Sequence, residues 1–173
     1  MSTSDAAVPR PTVTVRPGRE SHVAAVVEMV RELAAYERAA DQVHLTAEQL
    51  HRAVFTGAAP DGSPAAYLLV AEVDGEAVGF ALWFLSFSTW EGVHGIYLED
   101  LYVKADRRGT GAGRALLTEL ARIARDRGYA RVEWAVLNWN EPAIGFYRRI
   151  GATPMDDWTT YRLTGSALES LAR

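Results

Sequence analysis

Residues 97–117, YLEDLYVKADRRGTGAGRALL, combine the two features that decide the fold. The first half is an apolar, strand-like run that two carboxylates, Glu99 and Asp100, interrupt. The second half is a basic, glycine-dense turn that leads into a strongly amphipathic helix pattern. A strand that is followed by such a helix is joined to its next neighbour by a crossover. The strand predicted at 130–137 should therefore lie parallel to the strand at 95–103.

The rest of the chain predicts a mixed sheet. Alternating or apolar runs predict strands at 12–16, 66–73, 76–87, 95–103, 130–137 and 158–163. Helical periodicity predicts helices at 20–37, 46–55, 111–127 and 140–151. The first should bury a stripe made of Val23, Val26, Val27, Val30, Leu33 and Ala34. A Thr46–Gln49 capping box should start the second helix, Gly128 should stop the third, and Asn140 and Gly151 should cap the two ends of the fourth. The Asp74-Gly75 pair predicts a hairpin turn between the second and third strands. Hairpin strands followed by crossover helices favour an α/β (α+β) fold, with a mixed central β-sheet flanked by helices on both faces. We expect one domain over residues 12–173, preceded by a disordered tail at 1–11.

Composition excludes several classes of function. The chain has 173 residues, a formal net charge of -4 and no cysteine. Disulfides, thiolate nucleophiles and Cys-ligated metals are therefore excluded, and the acidic balance argues against a nucleic-acid-coating protein. The four histidines show no metal-ligand spacing, so we expect no metal. No apolar run could span a bilayer, which leads us to expect a cytoplasmic protein without a membrane partner.

The glycine turn has the chemistry of an anion site. Glycines directly before a helix let backbone N–H groups converge on one point, where the helix N-terminus adds partial positive charge. The segment consists of Arg108, Gly109, Thr110, Gly111, Ala112, Gly113 and Arg114. It is neither a Walker loop, because no Gly-Lys-Ser/Thr ends it, nor a dinucleotide fingerprint, because the third glycine comes too early. The alternative interpretation is a flexible basic turn.

This loop resembles the Arg/Gln-x-x-Gly-x-Gly/Ala loop of the GNAT superfamily of N-acetyltransferases. Three further stretches resemble its diamine (spermidine/spermine) and thialysine acetyltransferase branch: RELAAYERAADQVHLTAEQL (31–50), GFALWFLSFSTWEGVHGIYLEDLYV (79–103) and LNWNEPAIGFYRRIGA (137–152). The resemblance covers about residues 12–170, and the motifs occur in the family's order. It implies a GNAT-like fold and, because this branch is usually dimeric, a homodimer.

The resemblance also implies acetyl-CoA as the co-substrate. In the family, the strand before the loop carries a β-bulge, and pantetheine pairs with its exposed main chain. Carried over, Leu101, Tyr102 and Val103 would offer main-chain groups to pantetheine, and the segment 108–114 would hold the pyrophosphate. Asn140 resembles an asparagine that touches the cofactor arm, beside which Phe146 would pack.

Catalytic roles follow from the same resemblance. Glu99 resembles the glutamate that provides a proton path for the amine, and Tyr147 resembles the tyrosine that serves as general acid. Without cysteine, direct transfer in a ternary complex is favoured over an acyl-enzyme. The alternatives are an ordinary core role for Tyr147 and a salt-bridged structural role for Asp100. In a regular strand Leu98 and Asp100 would share one face, and Glu99 would point to the other.

The acceptor should be a small cationic amine. Matching positions suggest that the carboxylates Glu37, Asp41, Glu99 and Asp100 attract it and that Trp90 lines its site. In the polyamine-acetylating relatives that this stretch resembles, the sequence Asp-Pro-Trp stands where this chain has Ser88-Thr89-Trp90. The missing carboxylate at Ser88 weakens the case for a long polyamine and leaves a thialysine- or lysine-like amino acid or a diamine open.

Three alternative functions differ in the residues that they need. A peptide, protein or aminoglycoside acceptor would require an open groove instead of an acidic pocket. A non-catalytic acyl-CoA sensor would keep the glycine loop but lose the proton machinery, so the presence of both Glu99 and Tyr147 argues against it. A nucleic-acid-binding module is disfavoured because basic residues concentrate only around the loop and its helix.

Overall fold

The computed structural model describes residues 12–57, 59 and 61–173. The tail expected at 1–11 lies outside these residues. The chain divides into two compact units, one ending at Ala135 and one spanning Val136–Arg173. The single domain expected over 12–173 stays a prediction.

The first unit contains most of the regular structure. Its strands are β1 (Val13–Pro17), β2 (Tyr67–Val73), β3 (Glu76–Ser88), β4 (Val93–Val103) and β5 (Val132–Glu133). Its helices are α1 (Val23–Tyr36), α2 (Ala47–His51) and α3 (Ala112–Asp126), with a π-helical turn at Arg52–Thr56 after α2. The second unit contains α4 (Glu141–Arg149) and α5 (Gly165–Leu171).

The sheet has five strands in the order β1-β2-β3-β4-β5. The first three pairings are antiparallel and the β4–β5 pairing is parallel. The β2–β3 turn places Asp74 at φ 53° and Gly75 at φ 81°, the left-handed conformations that a two-residue hairpin requires. The mixed sheet, its Asp-Gly hairpin and the parallel pairing across α3 confirm the predictions from the sequence.

Helix α1 covers one face of the sheet. The cluster that it shares with the sheet is made of Val23, Val26, Val27, Met29, Leu50, Leu68, Val70, Phe80 and Tyr102. The apolar stripe predicted for α1 is confirmed, with Met29 as a buried addition outside the predicted set. The capping box predicted for α2 is also present: the Gln49 amide N–H donates to Thr46 Oγ1 at 3.2 Å, and the Thr46 amide N–H donates to Gln49 Oε1 at 2.9 Å.

Helix α3 covers the other face. Its buried residues are Ala112, Leu116, Leu117, Leu120 and Ala124. The helix ends at Asp126, just before the predicted stop Gly128, which has φ 68°, and the Tyr129 amide N–H donates to the Ala124 carbonyl at 2.8 Å. With α1 and α2 on one face and α3 on the other, the expected helix–sheet–helix layering is confirmed.

Two strand predictions were wrong. The strand expected at 130–137 is only two residues long, because β5 pairs with β4 only through Val132 and Glu133. The strand expected at 158–163 does not form: these residues are described, are exposed and have no strand assignment. Helix α5 was not predicted. Within the described residues, no helix is long and apolar enough to cross a membrane.

Candidate active site

A β-bulge interrupts β4 at the carboxylate pair. Leu82 pairs with Asp100 and Trp83 pairs with Leu98, so Glu99 is an extra residue without a partner on β3. Directly paired residues share a face, whereas the neighbours Leu82 and Trp83 point to opposite faces. Leu98 and Asp100 therefore lie on opposite faces. The expectation that they share one was wrong, because it assumed a regular strand.

The bulge sends Asp100 to the face that α1 covers, since its partner Leu82 packs against the α1 cluster. Asp100 is half-buried, and Glu99 beside it is exposed. Burial raises the pKa of Asp100 to about 6, with further contributions from the charges of Glu99 and Glu37. The carboxylates at the bulge and at the end of α1 therefore form one electrostatic group.

The edge of β4 beyond the bulge is open to main-chain pairing. One edge of β4 is paired with β3 from Val93 to Val103. The ladder with β5 on the other edge includes only Ile96 and Tyr97 of β4. In the described part of the chain, no strand is paired with the other edge of β4 from Leu98 to Val103. The backbone N–H and C=O groups of alternate residues point to this edge and can pair with an extended ligand. The expected bulge is confirmed, and this open edge lies where pantetheine was expected.

The C-terminal end of α1 faces this part of β4. The Tyr102 hydroxyl donates a hydrogen bond to Glu32 Oε2 at 3.0 Å. Burial and, after it, this acceptor raise the pKa of Tyr102. Glu37 is exposed as a residue, and desolvation raises the pKa of its carboxyl above the usual 4.5. Asp41 lies in the short helical turn Ala40–Gln42 and is exposed.

Arg108 extends from the start of the glycine loop towards α1. Its guanidinium carbon lies 4.8 Å from the centre of the Tyr36 ring and 5.9 Å from that of Tyr102. Its Nε donates to the Val103 carbonyl at 3.4 Å. This arginine therefore joins the loop, the end of β4 and the end of α1.

The glycine loop has the backbone conformation that an anion site needs. Gly109 has φ 82° and Gly111 has φ 95°, values that side chains other than glycine rarely adopt. A Cβ at either position would have no atom within 4 Å, so the space around the loop is open to a ligand. The Thr110 hydroxyl donates to the Arg107 carbonyl at 2.8 Å and fixes the turn. Gly111 is the N-cap of α3, whose first N–H groups are unpaired within the helix.

The basic residues of the loop have different partners. Arg107 and Lys104 bind the two carboxyl oxygens of Glu76 at 2.9 and 3.0 Å, and both contacts lower the pKa of Glu76. This ion-paired cluster anchors the loop to the β2–β3 hairpin. Arg114, on the first turn of α3, borders an open groove of about 430 Å³. Arg107 is thus paired with Glu76, whereas Arg108 lies at the start of the loop and Arg114 borders the groove.

Trp90 lies away from the bulge. It occupies the β3–β4 connection and is 89% exposed. Leu82, opposite the bulge, is six residues from the end of β3 at Ser88, a distance of roughly 20 Å at the rise of an extended strand. Ser88 is buried, and its hydroxyl accepts a hydrogen bond from the Glu91 amide at 3.1 Å. Within the first unit, the acidic group therefore forms without Trp90.

The second unit contains the remaining predicted site residues on α4. Asn140 caps this helix, its Oδ1 accepting a hydrogen bond from the Ala143 amide at 3.4 Å. Phe146 and Tyr147 are half-buried neighbours whose ring centres lie 5.5 Å apart. Gly151, with φ 90°, follows the C-terminal end of the helix, as predicted. The capping scheme that positions Tyr147 was thus correctly predicted.

The sequence analysis did not predict Tyr36 and Glu32 as site residues, although one signal for them was available. They are spaced i, i+4 on α1, so they share a helix face, and Glu37 follows directly. The sequence does not show that this face meets Tyr102 and Arg108, because those contacts join distant parts of the chain. Among the described residues, no group of three or more His, Cys, Asp or Glu could hold a metal ion.

Known proteins with similar sequences and folds point to one family. The model of the acetyltransferase (GNAT) family matches residues 26–152. The chain is 36% identical over 171 residues to thialysine N-epsilon-acetyltransferase from Bos taurus, covering 92% of this chain and 97% of the relative. It is 40% identical over 93 residues to L-ornithine N5-acetyltransferase from Arabidopsis thaliana, covering 54% of this chain and 41% of the relative.

Similarity to solved structures agrees with this assignment. An integron cassette protein from the mobile metagenome of V. cholerae superposes with a TM-score of 0.74 at 25% identity, covering 93% of this chain and 98% of that one. Its match supports the fold, and the sequence matches support the chemistry. The chain belongs to the acetyltransferase (GNAT) family and is an N-acetyltransferase.

Proposed function

We propose that this enzyme transfers an acetyl group from acetyl-CoA directly to a primary amine of a small cationic acceptor, a diamine, a polyamine or a thialysine-like amino acid, in a ternary complex. The observation that carries the proposal is the continuity of β4 with the glycine loop. One segment, 98–114, contains in sequence an open strand edge, a bulged carboxylate pair and a glycine loop that opens a helix.

The residues fit a nucleotide thioester. Space without a Cβ at Gly109 and Gly111, next to the N-terminus of α3, suits a pyrophosphate, with Arg108 and Arg114 as its charged partners. The main chain of 101–103 would pair with pantetheine. Asn140 and Phe146 of the second unit stay predicted cofactor contacts. When bound, acetyl-CoA supplies an activated acyl group.

The carboxylates would attract and deprotonate the acceptor. An alkyl ammonium has a pKa of about 10, so the attacking amine must lose a proton near neutral pH. Glu99, exposed at the bulge, is the proposed start of the proton path. Asp100, with its pKa raised to about 6, is ionised at neutral pH and would bind the ammonium together with Glu37 and Asp41.

Tyr147 is the proposed proton donor for the leaving thiolate. A phenol with a pKa of about 10 remains protonated at neutral pH and can donate. Because the chain has no cysteine, no cysteine acyl-enzyme can form, which favours direct attack of the amine on the thioester. Positioning of the two reactants would then provide much of the rate.

Two features favour an amino acid or a short diamine over a long polyamine. The relatives named above act on thialysine and L-ornithine, both amino acids with a distal amine. Ser88 is buried and uncharged, at the position where polyamine-acetylating relatives resemble one another in having an aspartate. Contact of Trp90 with the acceptor stays a prediction, since Trp90 lies beyond the end of β3, roughly 20 Å from the bulge. We also propose a cytoplasmic homodimer, whose mass light scattering would measure.

The test is thiol release from acetyl-CoA with a panel of thialysine, lysine, ornithine, putrescine and spermidine. At least one amine should give turnover well above the rate without amine. Varying both substrates should give intersecting initial-rate lines, which indicate a ternary complex; parallel lines would indicate an acyl-enzyme. Tight CoA binding without turnover on any amine would refute the proposal in favour of a sensor domain.

A further inference from the structure

We propose that Tyr36 is a positioning residue that holds the Arg108 guanidinium at the glycine loop and thereby couples cofactor binding to acceptor binding. This inference rests on the proposed acetyl-CoA site. It concerns a residue of α1, the helix whose end carries the acceptor carboxylate Glu37.

The geometry places Arg108 between two ligand sites. Its backbone begins the glycine loop in an extended conformation, with φ −66° and ψ 151°. Its side chain lies over the Tyr36 ring at 4.8 Å, with Tyr102 at 5.9 Å and the Val103 carbonyl at 3.4 Å. Three contacts on α1 and β4 thus orient one exposed arginine of the loop.

A guanidinium over a ring still has its in-plane donors. The five N–H groups of arginine form a planar fork, and contact with a ring uses the face of that plane. Nε of Arg108 already donates to the Val103 carbonyl, so the terminal N–H groups of the fork would bind a phosphate oxygen while Tyr36 supports the guanidinium. A ring at this position removes rotamer freedom from the arginine before the ligand arrives, which lowers the entropic cost of binding.

The same contact reaches the acceptor side. Tyr36 is the last residue of α1, and Glu37, directly after it, acts electrostatically on Asp100. The Tyr102 ring under Arg108 donates its hydroxyl to Glu32 one turn earlier on α1. A phosphate that fixes Arg108 would also fix the end of α1. Because coupling between two binding sites is reciprocal, the acceptor would strengthen CoA binding by the same factor.

The first experiment measures CoA affinity by calorimetry in the full chain. Tyr36→Leu should weaken CoA binding about two- to fivefold, the effect of losing one exposed cation–π contact. Tyr36→Phe keeps the ring and should bind as the unaltered protein does. Tyr161→Leu, at a 92% exposed tyrosine of the second unit, is the matched control and should change nothing.

A double-mutant cycle separates positioning from a general structural effect. Arg108→Lys keeps the charge but loses the planar fork, so it should weaken CoA binding by itself. In the Arg108→Lys background, Tyr36→Leu should cause little further loss. Tyr36→Leu should also raise the amine KM at saturating acetyl-CoA, whereas Arg114→Gln should affect the cofactor alone.

Each outcome decides a different claim. Additive effects of Tyr36→Leu and Arg108→Lys, or unchanged CoA affinity in Tyr36→Leu, would overturn the positioning role while leaving the proposed function intact. An unaltered protein that does not bind CoA would overturn both. If Tyr36→Leu does not fold, Tyr36→Phe with Arg108→Lys still tests the inference, because weaker CoA binding by Tyr36→Phe would contradict a role of the ring face.

Discussion

Asp100→Asn should stabilise the protein at neutral pH and progressively less in acid. Folding raises the pKa of Asp100 from its ordinary 3.8 to about 6, because the carboxyl is half-buried beside Glu99 and Glu37. The ionised form is therefore disfavoured by folding. The free energy of unfolding that Asp100 contributes is fully present below about pH 4 and is lost as the pH rises to and beyond 6.

The magnitude follows from the size of this shift. One pKa unit corresponds to about 1.4 kcal/mol, so the ionised carboxylate costs about 3 kcal/mol at pH 8, and roughly 2 kcal/mol of that develops between pH 4 and pH 8. Asparagine has nearly the shape of the neutral acid but cannot ionise. The difference in free energy of unfolding, Asp100→Asn minus unaltered protein, should therefore increase by about 2 kcal/mol over this range.

Urea denaturation at pH 4, 6 and 8 measures this difference. Asp156→Asn, at an exposed aspartate of the second unit, is the control for the Asp-to-Asn substitution itself. Glu99→Gln removes one of the neighbouring charges and should move the Asp100 midpoint below 6. A difference for Asp100→Asn that is flat with pH, or that falls as the pH rises, would refute the argument that Asp100 is desolvated at the bulge.

Three further predictions concern the loop, the end of α1 and the second unit. Tyr102→Phe removes the hydroxyl that donates to Glu32 at 3.0 Å and should lower the free energy of unfolding by about 1 kcal/mol in urea titrations. Gly111→Ala and Gly128→Ala both force alanine to positive φ, 95° and 68°, and should each cost about 1–2 kcal/mol in the same assay. Only Gly111→Ala should also weaken CoA binding, and equal CoA affinities would contradict an anion site at the loop. Tyr147→Phe should lower turnover strongly with CoA affinity nearly unchanged; an unchanged turnover number would remove Tyr147 from the mechanism.

The local features of the fold were predictable because short-range chemistry decides them. The Asp74-Gly75 turn, the Thr46 capping box and the cap at Asn140 each depend on residues within four positions of one another. The same holds for the glycine loop, whose positive φ angles at Gly109 and Gly111 follow from the residue type.

The bulge, the length of β5 and the C-terminal segment were not predictable from local patterns. A bulge depends on register against β3, so YLED alone does not show that Leu98 and Asp100 face opposite ways. The run 158–163 has the residue types of a strand, but β-propensity becomes a strand only where a neighbouring strand pairs with it. The contact of Arg108 with Tyr36 joins residues 72 positions apart, a separation that no periodicity reports.

The most direct test is identification of the product by mass spectrometry after incubation with acetyl-CoA and an amine that gives thiol release in the panel. We predict a mono-N-acetylated amine in one-to-one ratio with free CoA, acetylated at the distal amine when the acceptor is an amino acid. Thiol release without an acetylated amine, or acetate as the only acyl product, would contradict N-acetylation of a small cationic acceptor.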